Sequence, residues 1–375
     1  MSQLGYMEKL LDGVKVEWRD LEEVVKIQRG KRLVKSQLET SGSYAVYQNS
    51  MTPLGYYYES NAKADTTFII SAGAAGEIGY SDVDFWAADD VYLLLTQDSI
   101  ASKFLYHFLL LQQYKILAQV RRASIPRLSR IAIEKLQVPI PPLNVQAEIV
   151  RILDTFTELT AELTAELTAR QQQYAYYRDQ LLTFEEGEVE WRLLGDVTVY
   201  EQPIKYRVKS KEYNDDFLTP VLTAGKTFIL GYTNEVEGIY TASKKPVIIF
   251  DDFTTANKWV DFDFKVKSSA MKMITTANES EVMQKYIYYW LNTLPSDLVA
   301  GDHKRQWISS FSNKRIPIPP LAEQKRIVSI LDKFDALTTS LTEGLPREIE
   351  LRQQQYEYYR DLLLSFPKPE VVAHD

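Results

Sequence analysis

The fifteen residues RQQQYAYYRDQLLTF, at positions 170–184, occur a second time as RQQQYEYYRDLLLSF at positions 352–366. Twelve of the fifteen positions are identical, and the two copies start 182 residues apart. A repeat of this length, with so distinctive a glutamine- and tyrosine-rich composition, indicates an internal duplication. The chain has 375 residues, which is enough for two domains with additional elements.

The duplication extends upstream of both copies. VPIPPLNVQAEIVRILDTF, from Val138, corresponds to IPIPPLAEQKRIVSILDKF, from Ile316, and VEWR occurs at both Val16 and Val189. The chain therefore reads as a globular unit, a PIPP segment and a long polar segment, repeated once. The predicted boundaries are 1–144, 145–188, 189–321 and 322–375. The N-terminal EKLLDGVKVEWR also resembles DQLLTFEEGEVEWR, which predicts that the two termini lie close together and that the molecule has a pseudo-twofold axis.

The segments 145–188 and 322–375 are predicted to be long helices. Apolar residues recur at spacings of three and four, and there is no Gly or Pro between positions 145 and 184. Forty helical residues span about 60 Å. In the second copy, Gly344 and Pro346 predict a kink. Each helix alone fits an amphipathic core helix, whereas the matched pair also fits an antiparallel coiled coil that sets the distance between the globular units.

The first predicted helix contains TELTAELTAELTA, in which a block of four residues recurs. Adding or removing one block changes the helix length by about 6 Å. The block repeat therefore suggests a helix whose length is tuned in steps.

The globular units are predicted to be α+β, each with a small and mostly antiparallel sheet. TTFII at 66–70, VYLLL at 91–95 and KPVIIF at 245–250 have the β-branched and aromatic composition of strands. A helix-like run follows in each unit, ASKFLYHFLLLQQYKILAQ in the first and VMQKYIYYWLNTLPSDL in the second. The predicted fold is thus two pseudo-symmetric globular domains separated by two long helices that form an antiparallel coiled coil.

Composition excludes several classes of protein. The chain has no cysteine, so it has neither a disulfide framework nor a thiolate metal site. The N-terminal residues do not have the pattern of a signal peptide, and no apolar run approaches the roughly 20 residues that span a bilayer. We therefore expect a soluble, cytoplasmic protein.

The sequence contains no recognisable catalytic motif. The glycines of SAGAAGEIGY do not match a phosphate-binding loop, and the three histidines are scattered. Grouped carboxylates occur at Asp251, Asp252, Asp261 and Asp263. We predict no catalytic residue and no metal site, and keep a metal-dependent nuclease at Asp251, Asp252 and Asp263 as an alternative.

Basic residues are clustered although the net charge is −8. The acidic excess lies in the two helical segments, at −6 and −3, and the globular units are almost neutral. Each unit has one basic cluster near its start and another just before PIPP, at positions suited to neutralising phosphates or reading base edges. The candidate DNA-contacting residues are Arg29, Lys31, Arg32, Gln48, Asn49, Arg121, Arg122, Arg127, Lys205, Arg207, Lys226, Asn257, Lys258, Lys304, Arg305 and Gln306.

Two such units on a helical spacer predict recognition of a two-part DNA site. Their loops differ strongly in sequence, so the two half-sites should differ as well. The alternative is a coiled-coil adaptor whose globular units bind protein and read no DNA sequence.

Over nearly its full length the chain resembles the specificity subunits of type I restriction–modification enzymes. The resemblance rests on the two PIPPL…IVxILDxF helix starts, the paired RQQQYxYYRD segments, the VEWR entries and the TAEL blocks. The TAEL blocks and EGLPREIEL look like the IC branch. The second unit is very similar to known target recognition domains, whereas the first suggests no recognised half-site.

The resemblance implies a non-catalytic DNA-recognition subunit with two target recognition domains. It implies that the helices dock two modification subunits, which use S-adenosylmethionine to methylate adenine N6 after flipping the base. It also implies restriction subunits that use ATP and Mg²⁺. Tyrosine and arginine are favoured at protein interfaces, although the same residues also suit packing of the coiled coil. The candidate docking residues are Tyr174, Tyr177, Arg178, Tyr356, Tyr359 and Arg360.

Overall fold

A computed structural model describes residues 10–11, 13–223, 227–295, 305–340 and 343–367. The chain divides into two compact units, which we name unit 1 (Met1–Thr164 with Glu348–Asp375) and unit 2 (Ala165–Arg347). Each unit contains one globular domain, part of the first long helical segment and part of the second. Unit 1 holds the N-terminal part of the first helical segment and the C-terminal part of the second, and unit 2 holds the other two parts. Antiparallel pairing of the two segments requires this arrangement.

Unit 1 has a mixed α+β fold. Its described strands are β1 (Glu17–Asp20), β2 (Val25–Arg29), β3 (Tyr44–Tyr47), β4 (Gly55–Tyr57), β5 (Thr66–Ile70), β6 (Ile78–Ser81), β7 (Trp86–Ala87), β8 (Val91–Thr96) and β9 (Gln137–Ile140). They form sheets in the orders β2-β8-β5-β6 and β4-β3-β7, and the pair β1-β9. Of these pairings only β3-β7 is parallel. The helices are α1 (Leu21–Val24), α2 (Ser102–Leu111), α3 (Gln113–Ala118), α4 (Ile131–Glu134) and α5 (Leu143–Leu182), the last of which continues into unit 2.

Unit 2 repeats this topology. Its described strands are β10 (Glu190–Leu193), β11 (Thr198–Glu201), β12 (Thr219–Leu222), β13 (Ile229–Thr233), β14 (Val247–Asp251), β15 (Asn257–Val260), β16 (Lys265–Val266), β17 (Met271–Thr276) and β18 (Arg315–Ile318). The sheet orders are β11-β17-β14-β15, β13-β12-β16 and β10-β18. Its helices are α6 (Leu194–Val197), α7 (Gln284–Leu291), α8 (Gln306–Ser309), α9 (Leu321–Thr338) and the start of α10 (Gly344–Leu363), which continues into unit 1. The predicted α+β class and duplicated architecture are confirmed.

The cores form where the predicted strands and late helices meet. All five residues of TTFII in β5 are buried, as are those of β14. In unit 1 the apolar face of α2 packs with Ile149 and Leu153 of α5 and with Leu363 and Phe366 near the chain end. The indole of Trp18 donates a hydrogen bond to the Pro367 carbonyl at 2.9 Å. This contact joins β1 to the segment after α10, whereas the two termini themselves lie outside the described residues.

The first long segment is one continuous helix of 40 residues, as predicted. The second is not a kinked helix but two helices, because α9 ends at Thr338 and α10 begins at Gly344. Gly344 has a φ of +76°, and a Cβ there would lie 2.5 Å from the Ala336 carbonyl oxygen. The glycine therefore permits a close turn that interrupts the helix. No helix in the described ranges is long and apolar enough to cross a membrane.

Aromatic stacking joins the helical segments inside each unit. In unit 1, Phe156 of α5 stacks on Tyr359 of α10, with ring centroids 5.2 Å apart. In unit 2, Tyr177 of α5 stacks on Phe334 of α9 at 5.8 Å. Helix pairing and packing into the domain core thus coexist in the same helices.

A buried glutamine fastens each PIPP segment to its domain. The Gln146 side chain accepts the Ala101 N–H at 2.8 Å and donates to the Ser99 and Pro141 carbonyls at 2.9 and 2.8 Å. Gln324 repeats this arrangement with Met283, Glu281 and Pro319. Both side chains are fully buried, so their loss leaves main-chain groups without partners.

We expect Gln146→Leu to destabilise unit 1 by about 2–4 kcal/mol, because several buried main-chain groups lose their hydrogen bonds at once. Chemical denaturation of the purified chain measures the effect. Gln172→Leu, at an exposed position on the same helix, is the matched control and should change stability by less than about 0.5 kcal/mol. Equal stabilities for the two variants would contradict the assignment.

A polar network around His107 links α2 to both long helical segments of unit 1. His107 Nε2 lies 3.1 Å from Asp154, Nδ1 lies 3.2 Å from the Tyr356 hydroxyl, and Lys103 pairs with Asp154 at 2.8 Å. In unit 2, Tyr289 bonds Asp332, which pairs with Lys285. Burial lowers the pKa of His107 below its usual value, and this effect outweighs the opposing influence of Asp154.

Stability should therefore fall in acid. Because the pKa of His107 is lower in the folded state, the unfolded chain takes up this proton first as the pH falls. We expect this contribution to be constant well above pH ~6.5 and to decrease below it by at most about 1.4 kcal/mol per pH unit. Urea denaturation from pH 8 to 5 measures the slope. His107→Tyr, which copies Tyr289, should remove this part of it, and an unchanged slope would refute the assignment.

Candidate nucleic-acid interface

The first basic cluster of unit 1 follows β2. Gly30 N–H donates to the Val91 carbonyl and Lys31 N–H to the Ala87 carbonyl, each at 2.9 Å, which fixes the loop against β8 and β7. The Arg29 side chain has partners within its own domain, because it donates a hydrogen bond to the Asp89 carbonyl and its guanidinium lies 3.9 Å from the Asp90 carboxylate. The side chains of Lys31 and Arg32 are exposed and form no ion pair within the described ranges.

The second cluster is a short hairpin, which we name the arginine hairpin (residues 121–127). Arg121 and Arg127 exchange backbone hydrogen bonds of 2.8 and 3.1 Å. The hairpin is held to the domain because Gly73 N–H donates to the Pro126 carbonyl at 3.1 Å and Leu128 N–H to the Ser71 carbonyl at 2.8 Å. Arg121, Arg122 and Arg127 are all exposed, and none is paired with a carboxylate in the part of the chain that the structure describes.

Gln48 and Asn49 lie between these clusters. The Asn49 carbonyl accepts the Ala74 N–H at 2.9 Å, and the neighbouring Tyr47 carbonyl accepts the Ala88 N–H at 2.9 Å. A Cβ on Gly73, whose φ is +83°, would lie 2.7 Å from the Asn49 carbonyl oxygen. Gly73 therefore allows the two loops to meet closely at this point. Backbone hydrogen bonds to neighbouring residues 73–74 and 87–88 thus link all three candidate groups of unit 1.

In unit 2 the first basic cluster includes Lys205 and Arg207. Lys205 pairs with Glu201 at 2.7 Å, and hydrogen bonds with Glu201 and Tyr206 raise its pKa. Arg207 is exposed, forms no ion pair within the described ranges, and bridges by its backbone to Val266. Lys226 and Lys304 lie outside the described residues.

The remaining described candidates of unit 2 lie at the starts of two elements, strand β15 and helix α8. Asn257 and Lys258 begin β15 after the 251–256 turn, and Lys258 is exposed. Arg305 is exposed, and the next residue, Gln306, donates its N–H to the Asp252 carbonyl at 2.9 Å. The Asn257 Oδ1 atom is buried without a hydrogen-bond partner among the described residues.

The grouped carboxylates of unit 2 form hydrogen bonds and an ion pair with neighbouring residues. Asp251 accepts hydrogen bonds from Phe253 N–H and the Thr254 hydroxyl. Asp252 pairs with the buried Lys272, and hydrogen bonds from Ser243 lower the pKa of Asp263. Within the described ranges no group of three or more histidine or acidic residues could hold a metal ion. The geometry therefore gives no support to the nuclease alternative.

The candidate docking residues divide into packed and exposed positions. Tyr174 and Tyr356 pack against the domain cores, and Arg178 and Arg360 lie over their rings and pair with the next aspartate. Tyr177 and Tyr359 stack on phenylalanines yet stay 41% and 39% exposed. Tyr176 and Tyr358, which were not among the candidates, are more exposed, at 62% and 49%. Their presence in both copies of the repeated segment was the signal that the sequence offered.

Comparison with known proteins gives consistent results. The sequence matches, at residues 13–170 and 187–351, a family described as the type I restriction modification DNA specificity domain. A putative type I restriction enzyme specificity subunit of Haemophilus influenzae, S.HindORF215P, is 35% identical, and the match covers 96% of this chain and 98% of that one. The EcoR124I/EcoR124II specificity subunit of Escherichia coli is 64% identical over 191 residues, which are 49% of this chain and 46% of that relative.

Solved structures show the same fold. The S subunit of a type I restriction–modification system from M. genitalium superimposes with a TM-score of 0.69 at 17% identity, over 96% of this chain and 98% of that one. A chain from a structure of a type I R-M system gives a TM-score of 0.54 at 14% identity, over 94% and 99% of the two chains.

Proposed function

Because this chain belongs to the family of type I restriction–modification DNA specificity subunits, we propose that each of its units reads one half of a bipartite, asymmetric DNA site. The observation that carries the proposal is the repeated placement of basic loops. In each unit one loop follows the first strand of the four-stranded sheet and another precedes the PIPP strand, and both bear exposed cations. Such cations bind phosphates, and arginine also reads guanine edges in the major groove.

The asymmetry of the site follows from the loop sequences. RRASIPR in unit 1 and KRQWISS in unit 2 occupy corresponding places, yet they share little sequence. Different side chains on the same scaffold favour different base sequences. The length of α5 then fixes the number of unread base pairs between the half-sites.

We also propose partners for the helices. Two copies of RQQQYxYYRD on α5 and α10 suit two copies of one modification subunit, with the exposed Tyr176, Tyr177, Tyr358 and Tyr359 at the contact. This chain supplies specificity and not catalysis, in keeping with its family. The modification subunits would carry S-adenosylmethionine and methylate adenine N6, and restriction subunits would use ATP and Mg²⁺. Membership of the IC branch and a cytoplasmic location belong to the same proposal.

Methylation mapping tests this function. The chain is expressed with its neighbouring modification subunit in a methylation-free host, and adenine methylation is read by long-read sequencing. We expect a new split motif that is absent when this chain is omitted. A stable complex that leaves no new motif would favour the protein-adaptor alternative.

A further inference from the structure

Two lysines of unit 2 are buried and lie close to carboxylates that contact the basic loops. Lys272 on β17 is 0% exposed and Lys265 on β16 is 1% exposed. Because an isolated buried ammonium group is very costly, each needs a compensating charge. Lys272 Nζ lies 3.5 Å from the buried Asp252 carboxylate, and Lys265 Nζ lies 3.1 Å from Glu235.

The carboxylate of each pair also holds the backbone of a basic loop. Asp252 Oδ1 accepts the Trp307 N–H at 2.9 Å, and its main-chain oxygen accepts the Gln306 N–H at 2.9 Å. Glu235 Oε1 accepts the N–H groups of Lys209 and Ser210, each at 2.8 Å. The first pair thus fixes the segment that follows Arg305, and the second fixes the segment that follows Arg207.

Unit 1 fixes the corresponding loops with neutral donors. Trp86 pairs with β3 as Lys265 pairs with β12, and its indole donates to the Lys31 carbonyl at 3.0 Å. Tyr92 is the second residue of β8, as Lys272 is of β17, and its hydroxyl lies 3.4 Å from the Leu128 carbonyl oxygen beside the arginine hairpin. Equivalent strand positions therefore fix equivalent loops in both units with different chemistry.

We propose that the Asp252–Lys272 and Glu235–Lys265 ion pairs are positioning pairs that set how the loops of unit 2 read their half-site. The inference rests on the proposed function. The lysines and Asp252 are too deeply buried to touch DNA, so these pairs act through the Arg305–Trp307 and Arg207–Ser210 segments. Fixing a loop before binding lowers the conformational entropy lost on binding and restricts which bases its side chains can reach.

The test uses the full chain assembled with its modification subunit. Asp252→Asn weakens the first pair, and Asp263→Asn, which loosens only the Ser243 contact, is the control. Amide hydrogen exchange is measured at Gln306 and Trp307, together with affinity for DNA carrying the mapped site or a scrambled second half. We expect roughly tenfold faster exchange and a roughly tenfold loss of discrimination at the second half-site in Asp252→Asn, with the first half-site unaffected. Glu235→Gln should act in the same way at Lys209 and Ser210.

A second variant tests the same inference without leaving an unpaired buried charge that could unfold the domain. Asp252→Leu with Lys272→Met removes both charges, and such replacements are often neutral or stabilising, but the Trp307 N–H loses its acceptor. We expect this variant to fold, to exchange faster at Trp307 and to discriminate less well at the second half-site. Wild-type exchange and discrimination in a folded double variant would overturn the inference. If the unmodified complex does not distinguish half-sites at all, the proposed function fails, whereas the exchange data still decide whether the pairs fix the loops.

Discussion

Deleting one TAEL block, residues 160–163 of α5, is expected to shorten the unread spacer and to leave both half-sites unchanged. Four residues remove about 6 Å of helix, and each base pair of DNA occupies about 3.4 Å along the axis, so we expect a loss of one to two base pairs. Four residues also turn the helix by about 400°, which returns the following residues almost to the same face. Leu159, Leu163 and Leu167 are half-buried among exposed neighbours, so the shortened helix keeps its apolar stripe.

The measurement is methylation mapping of the deletion variant beside the original chain. A variant that lacks only Ala161 is the control, because removing one residue rotates the stripe by about 100° and should abolish methylation. An unchanged spacer in the block deletion would show that α5 does not set the distance between half-sites.

Replacing Arg121 and Arg127 together by alanine is expected to abolish reading of the half-site bound by unit 1. A bidentate arginine–guanine contact contributes about 1–3 kcal/mol of discrimination, so loss of two should weaken binding of the correct site by roughly 30-fold or more. The hairpin itself should persist, since Arg121 and Arg127 pair through their main chains. Methylation should then occur at sites with an intact second half and a degenerate first half.

Arg130→Ala is the matched control. Arg130 lies just beyond the hairpin but pairs with Glu134 at 2.7 Å, so its loss should leave specificity unchanged. Fluorescence anisotropy at several salt concentrations separates two roles of the hairpin. If the double variant weakens binding to all sequences equally and lowers the salt dependence, the arginines contact phosphates and do not read bases.

Much of the fold was predictable because the duplicated segments show the same pattern of strands and helices in both halves of the chain. The strands at 66–70 and 91–95, the long helix and the contact between the terminal segments all follow from local composition and from the repeat. The gap between α9 and α10 was harder to predict, because a glycine two positions before a proline fits both a kink and a full interruption of the helix. The close approach of Gly344 to the Ala336 carbonyl decides between them.

Some features of the candidate site were likewise readable from the sequence, and others depended on the tertiary structure. The sequence alone determined which residues are basic, where they cluster and that each cluster occurs in both halves, because charge and repetition are properties of the chain. Only the tertiary structure decided that Arg29 and Lys205 are paired, whereas Arg121 and Arg127 have no carboxylate partner among the residues that the structure describes. It also decided that Asp252 holds a loop and that the buried Gln146 and Gln324 side chains bind the main chain beside each PIPP segment. The Lys205–Glu201 pair is local, at four positions apart, but the other partners lie 20 to 61 positions away and meet only when strands and helices pack into a core.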